Sequence, residues 1–167
     1  MPSIFLTDQG DKRRLTSLLF APFIQWLTAR IRVVPEMKEK VQYWIEMAEY
    51  GLETAKVMLT GRRFLYVGFM CHQVIEKVLK GYYVLLKNDN PPYTHNLTYL
   101  ANQSGIYGKM TEEQKDFIDL LEPLNIEARY PTHKERLMGS LNEERCKEIL
   151  EKTEGLHRWI EQRLSDT

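Results

Sequence analysis

Hydrophobic and polar positions alternate along this chain with the period of an α-helix, and nowhere over a useful length with the two-residue period of a strand. From Lys38 to Leu59, apolar residues recur as Val41, Trp44, Ile45, Ala48, Leu52, Ala55, Met58 and Leu59, with Lys and Glu between them. That pattern predicts a long amphipathic helix. Gly61 and two arginines then turn the chain into the stretch Phe64 to Lys87, which is apolar around most of its circumference. A helix packed on one side needs only one apolar stripe. This one is therefore expected at the centre of a bundle, antiparallel to the first helix and touched by neighbours on several sides.

One narrow strip interrupts the apolar surface of the central helix. His72, Gln73, Glu76, Lys77 and Lys80 fall at spacings of three and four, which stack on one face at 3.6 residues per turn. The strip either faces solvent, with Glu76 and Lys80 as an ordinary i,i+4 pair, or faces a cleft or a second subunit. The sequence by itself favours solvent.

Asn88, Asp89, Asn90, Pro91 and Pro92 end the central helix. Thr94 is the expected cap of a short helix carrying Leu97, Tyr99, Leu100 and Ala101, closed by Gly105. Thr111 and Gln114 form a capping box, and Phe117, Ile118, Leu120, Leu121 and Leu124 supply the buried face of the helix behind it. Pro123 is expected to kink or restart that helix, and Pro131 to stop it. The last helix is expected to start near Ser140, with Glu143 completing a second capping box, and to bury Cys146, Ile149, Leu150, Leu156, Trp159, Ile160 and Leu164. The class is all-α, an up-and-down bundle of four long helices plus a short helix.

Residues 1–36 differ from the rest. LysArgArg at 12–14 precedes an apolar run from Leu15 to Ala29 that is interrupted by Pro22 and Gln25, lacks a small-residue cleavage pattern, and is short for a membrane span. No membrane role is expected. Regular patterning begins at Met37, so residues 1–36 are read as an N-terminal extension outside the functional chain and residues 37–167 as the helical domain.

Composition adds little beyond exclusions. Lys plus Arg total 23 and Asp plus Glu total 23, so no net field draws the protein to nucleic acid or an anionic membrane. Cys71 and Cys146 sit in apolar helical patterns and read as small core residues of a reduced, cytoplasmic protein. No metal or cofactor is expected, because glycine-rich phosphate loops, zinc spacings and hydrolase motifs are all missing and the four histidines are scattered.

The remaining constellation is Arg129, Tyr130, His133 and Lys134 around Pro131. A histidine and an arginine near each other can cleave RNA without metal: the imidazole moves the proton of the 2′-hydroxyl or the leaving oxygen, and the guanidinium neutralises charge on the phosphate. The structural alternative is favoured, with Arg129 paired to a carboxylate such as Glu76, Tyr130 packed over the bundle end and His133 in an exposed loop. Lys77 and Lys80 could contact phosphate, but a solvated face is the favoured reading. Tyr82, Tyr83, Tyr93, Tyr99, Tyr107 and Tyr130 could stack on bases, but core and cap packing is favoured.

CysHisGln at 71–73, IleGluLysValLeuLysGlyTyrTyr at 75–83, ThrHisAsnLeu at 94–97, AlaArgTyrPro at 128–131 and TrpIle at 159–160 together resemble a bacterial or archaeal HEPN domain over roughly residues 37–165. The resemblance implies a bundle of four to five helices, a homodimer, and pairing with a minimal nucleotidyltransferase in a toxin–antitoxin-type module. Many members are metal-independent endoribonucleases in which Arg and His are separated by four to six residues and meet at a dimer cleft. Here Arg129 and His133 are separated by three residues, one of them Pro131.

The resemblance also marks His72, Gln73, Glu76, Lys77 and Lys80 as the family's polar strip, and adds His95 and Tyr130. The leading expectation is a catalytically weak or inactive helical partner of a nucleotidyltransferase. The alternatives are an endoribonuclease toxin using Arg129 and His133 on RNA, and a nucleotide-binding module without turnover using Lys77, Lys80 and Arg129.

Overall fold

The computed structural model describes the backbone of residues 11–127 and 141–165, and the side chains of residues 35–125 and 141–165. Its helices are α1 (Asp11–Thr60), α2 (Phe64–Lys87), α3 (Leu97–Gln103), α4 (Glu112–Glu127) and α5 (Glu143–Ser165), with a 3-10 turn at Tyr107–Lys109 between α3 and α4. No strand occurs among the described residues. The chain divides into two compact units, Met1–Glu36 and Met37–Thr167. The buried core formed by α2 and its neighbours lies in the second.

Among the described residues helical backbone extends from Asp11, well upstream of the Lys38 start marked by the amphipathic pattern. Backbone hydrogen bonding needs helix-forming residues, not amphipathic ones, and the Leu- and Ala-containing run before Met37 supplies them.

The turn after α1 is built as expected, with Gly61 N–H donating to Val57 C=O at 2.9 Å and Arg63 N–H to Met58 C=O at 2.8 Å. The left-handed residue is Arg62, at φ 56°, not Gly61. α1 and α2 then run antiparallel at close range. A Cβ on Gly51 would lie 3.2 Å from Val74 Cγ2, and one on Gly81 would lie 3.3 Å from Trp44 Cβ. Two glycines, one on each helix, thus let the backbones approach.

α2 is central, as its circumference predicted. It packs against α3, α4 and α5 as well as α1, and Val67, Cys71, Val74, Ile75, Val78 and Leu79 are fully buried. It ends at Asn88, a left-handed residue whose N–H reaches back to Val84 C=O.

Two caps differ from the sequence expectation. Asn96, not Thr94, caps α3 by accepting from Tyr99 N–H, while Thr94 Oγ1 accepts from Asn96 N–H. Asn142 caps α5 by accepting from Arg145 N–H at 2.8 Å, and Glu143, the first residue of that helix, pairs with Lys147 and Arg62. Ser140 lies outside the described residues. The Thr111–Gln114 box is formed in both directions, at 3.0 and 3.2 Å.

α4 continues through Pro123 to Glu127 without restarting. Phe117, Ile118, Leu121 and Leu124 are all buried, and that packing outweighs the backbone hydrogen bond a proline forgoes.

Candidate functional site

The polar strip of α2 is buried, not solvated. His72 and Glu76 are 0% exposed and Lys80 is 7% exposed, while Gln73 and Lys77 are half-buried. Solvation was the reading its spacing favoured; the bundle reverses it because three other segments close over this face. α1 lays Trp44 across it, the turn before α3 brings His95, and α4 brings Asn125.

Burial of a carboxylate and two ammonium groups is tolerable only if each is paired. Glu76 is the hub of that pairing. Its Oε1 accepts from Lys77 Nζ and Lys80 Nζ, each at 2.8 Å. Its Oε2 accepts from His95 Nδ1–H at 2.8 Å. Burial pushes the Glu76 carboxyl up, but the hydrogen bonds from Lys77, Lys80 and His95 outweigh it and hold it down at about 2. Glu76 is therefore a buried anion.

The two lysines are further held by an aromatic face. Lys80 Nζ lies 5.4 Å and Lys77 Nζ 6.0 Å from the centroid of Trp44, within cation–π range. Lys77 also donates to Gln73 Oε1 at 3.0 Å, and Gln73 Nε2 donates to Asn125 Oδ1 at 3.2 Å. The chain of contacts thus ties α1, α2 and α4 together.

His72 closes the other end. Its Nε2 lies 3.0 Å from the His95 carbonyl oxygen; a carbonyl can only accept, so Nε2 carries the proton. Nδ1 is then a lone pair with no hydrogen-bond partner, 4.0 Å from Glu76 Oε2. Burial pushes His72 down to about 4, against the opposing pull of the Glu76 carboxylate. At neutral pH it is an uncharged imidazole.

His95 is the strip's link to solvent. Its side chain is half exposed, and the fully exposed Tyr93 sits beside it, ring centroids 6.4 Å apart. The turn is anchored from below as well, since Glu122 of α4 accepts from Leu97 N–H and Thr98 N–H at the start of α3. Burial pushes the Glu122 carboxyl up, partly offset by those two backbone bonds.

The structure thus gathers His72, Gln73, Glu76, Lys77, Lys80 and His95 into one network. Arg129, Tyr130, His133 and Lys134 lie outside the described residues. The tyrosines divide: Tyr82 is buried, but Tyr93 and Tyr99 are exposed, contrary to the core and cap packing expected of them, because one lies in the loop after Pro92 and the other on the outer face of α3. Trp44, read only as core, and Asn125 and Glu122 had no local signal of their own. Their parts depend on which helices meet. Among the described residues no group of three His, Cys, Asp or Glu could hold a metal ion, and no helix is long and apolar enough to cross a membrane.

The sequence profile of the HEPN domain family matches residues 41–163. Two solved structures share the fold. The crystal structure of TT1696 from Thermus thermophilus is 18% identical, with a TM-score of 0.63 over 74% of this chain and 97% of that one. That of ST0689, an archaeal HEPN homologue, is 18% identical, with a TM-score of 0.54 over 75% of this chain and 98% of that one. Among curated proteins, none matches.

Proposed function

We propose, from the premise that this chain belongs to the HEPN domain family, that it acts as the catalytically weak or inactive helical partner of a nucleotidyltransferase in a toxin–antitoxin-type module. Residues 37–167 are the working domain in this reading, and the protein is a cytoplasmic homodimer.

The observation that supports it is the engagement of both strip lysines by one buried carboxylate, Glu76, at 2.8 Å. Cations held this way under Trp44 are poorly placed to take up a phosphate, and the neighbouring His72 is sealed from solvent. A nucleotide or RNA bound along this strip would have to break a buried network whose loss costs several kcal/mol. The strip stiffens the bundle and sets the position of the His95 turn; recognition falls to other surfaces.

Two experiments test the reading. Total RNA incubated without metal with the wild-type protein, Arg129→Ala and His133→Ala should show no cleavage above the variants' background. Products with 2′,3′-cyclic phosphate ends, lost in both variants, would overturn it in favour of an endoribonuclease. Co-expression with a nucleotidyltransferase encoded beside it should yield a complex that survives gel filtration, and two separate peaks would count against the partnership.

A further inference from the structure

The exposed face of α1 carries two parallel rows at seven-residue spacing. Tyr43, Tyr50 and Val57 form the first, and they are 55%, 72% and 65% exposed. Met47, 38% exposed, and Thr54 fall between them at spacings of four and three. Glu39, Glu46 and Glu53 form the second row, all exposed. At 3.6 residues per turn the acidic row lies along one flank of the apolar one. This is the layout of a heptad seam with charged flanking positions, which set the choice of partner.

The opposite flank is closed. Trp44, Gly51 and Met58, one position after each seam residue, are turned into the chain's own bundle: Trp44 against the α2 lysines, Gly51 against Val74, Met58 against the core. Lys40 borders that flank near its start, and Lys56, behind the acidic row, pairs with Glu53 at 2.9 Å and Glu154 at 3.1 Å. An open groove lined by Lys38, Glu39, Gln42, Tyr43 and Glu46 continues the surface at the same end.

We infer that this face docks an amphipathic helix of another protein, one with an apolar seam at heptad spacing and Lys or Arg along the flank that meets Glu39, Glu46 and Glu53. Charge decides between this occupant and a second copy of the chain. Two copies paired antiparallel would set one glutamate row against the other. Paired parallel, each row would need Trp44, Gly51 and Met58, which the bundle already occupies. A basic partner satisfies both rows at once. The inference rests on the partner-protein reading above only for the existence of a partner; the surface is tested by itself.

The test uses the full chain and two fluorescent synthetic helices with the same apolar heptad seam, one with Lys and one with Glu at the flanking positions. Anisotropy titrations should give binding of the Lys helix about tenfold or more tighter than the Glu helix, with the gap shrinking at high salt. Tyr43→Ser with Tyr50→Ser should abolish binding at an unchanged melting temperature, and Glu46→Lys with Glu53→Lys should reverse the preference. Equal binding of the two helices, binding of neither, or retention in the double serine variant would overturn the inference. So would a dimer, seen by sedimentation, that the double serine variant dissociates, because the face would then belong to a second copy. Failure of the nucleotidyltransferase to co-purify would touch only the functional reading, since the titrations do not use it.

Discussion

Glu76 Oε2 lies 2.8 Å from His95 Nδ1, joining a fully buried carboxylate in the middle of α2 to a half-exposed ring in the turn that precedes α3. The other oxygen of the same carboxylate holds Lys77 and Lys80. One side chain therefore fixes three partners from two segments.

Glu76→Gln removes the charge that compensates the buried Lys80, and should lower the unfolding free energy by about 3 kcal/mol, the scale expected when a buried pair loses one member. Urea denaturation reads this directly. Glu76→Leu combined with Lys80→Met should recover part of the loss, because two apolar side chains need no pairing there. A double variant less stable than Glu76→Gln would show that packing, not charge compensation, governs the site.

Acid should destabilise the fold in two stages. His72 is held near 4 by burial, below its ordinary 6.5, so the unfolded chain takes up a proton first and stability falls as pH drops from 6.5 towards 4. The full effect is on the order of 3 kcal/mol. His157, also pushed down by burial, adds in the same direction. His72→Gln keeps a donor for the His95 carbonyl but cannot titrate, so its stability should vary less over this window. The second stage belongs to Glu76, whose contribution is complete above 4.5 and is lost as pH falls towards about 2. Identical pH profiles for wild type and His72→Gln between 6.5 and 4.5 would exclude the first stage.

Glycine substitutions should differ in sign. Gly155 lies in α5, where an added methyl would meet nothing within 4 Å, so Gly155→Ala should raise stability by about 0.5–1 kcal/mol by reducing backbone freedom. Gly81→Ala would set a methyl 3.3 Å from Trp44 Cβ, an atom too near the α1 backbone to move aside. It should cost about 1–3 kcal/mol through overpacking. Thermal denaturation of the two variants side by side reads the contrast.

The cysteines should be inert in the folded protein. Burial pushes the Cys71 thiol up to about 12 and the Cys146 thiol up to about 11, and both are free and buried. The thiolate is the reactive form. A disulfide-exchange reagent at pH 8 should label neither until denaturant is added; prompt labelling of the native protein would mean that the core opens locally at α2 and α5.

Removal of residues 1–36 should leave the melting temperature within a few degrees of the full chain, since the core runs from Ala48 to Ile160. A shortened chain that fails to fold would assign the upstream segment to the folding unit.

Much of this architecture was legible along the chain, because helices and several of their ends are local events. The all-round apolar character of Phe64 to Lys87 announced a central helix, and the Thr111–Gln114 box and the Asn88–Pro92 breakers marked ends where the structure has them. Local signals misled where two residues compete for one role. Thr94 and Asn96 both precede α3, and the Tyr99 N–H donates to Asn96, which decides the cap; Pro123 reads as a breaker until four buried neighbours hold the helix through it.

The sequence by itself determined that His72, Gln73, Glu76, Lys77 and Lys80 share one face of α2, since 3.6 residues per turn leave no other arrangement. Only the tertiary structure decided that this face is interior. Its environment is made by Trp44, His95 and Asn125, which are distant in sequence and become neighbours when α1, the turn before α3 and α4 pack on α2. A charge looks solvated from its own helix; whether it is buried depends on what the rest of the chain places over it.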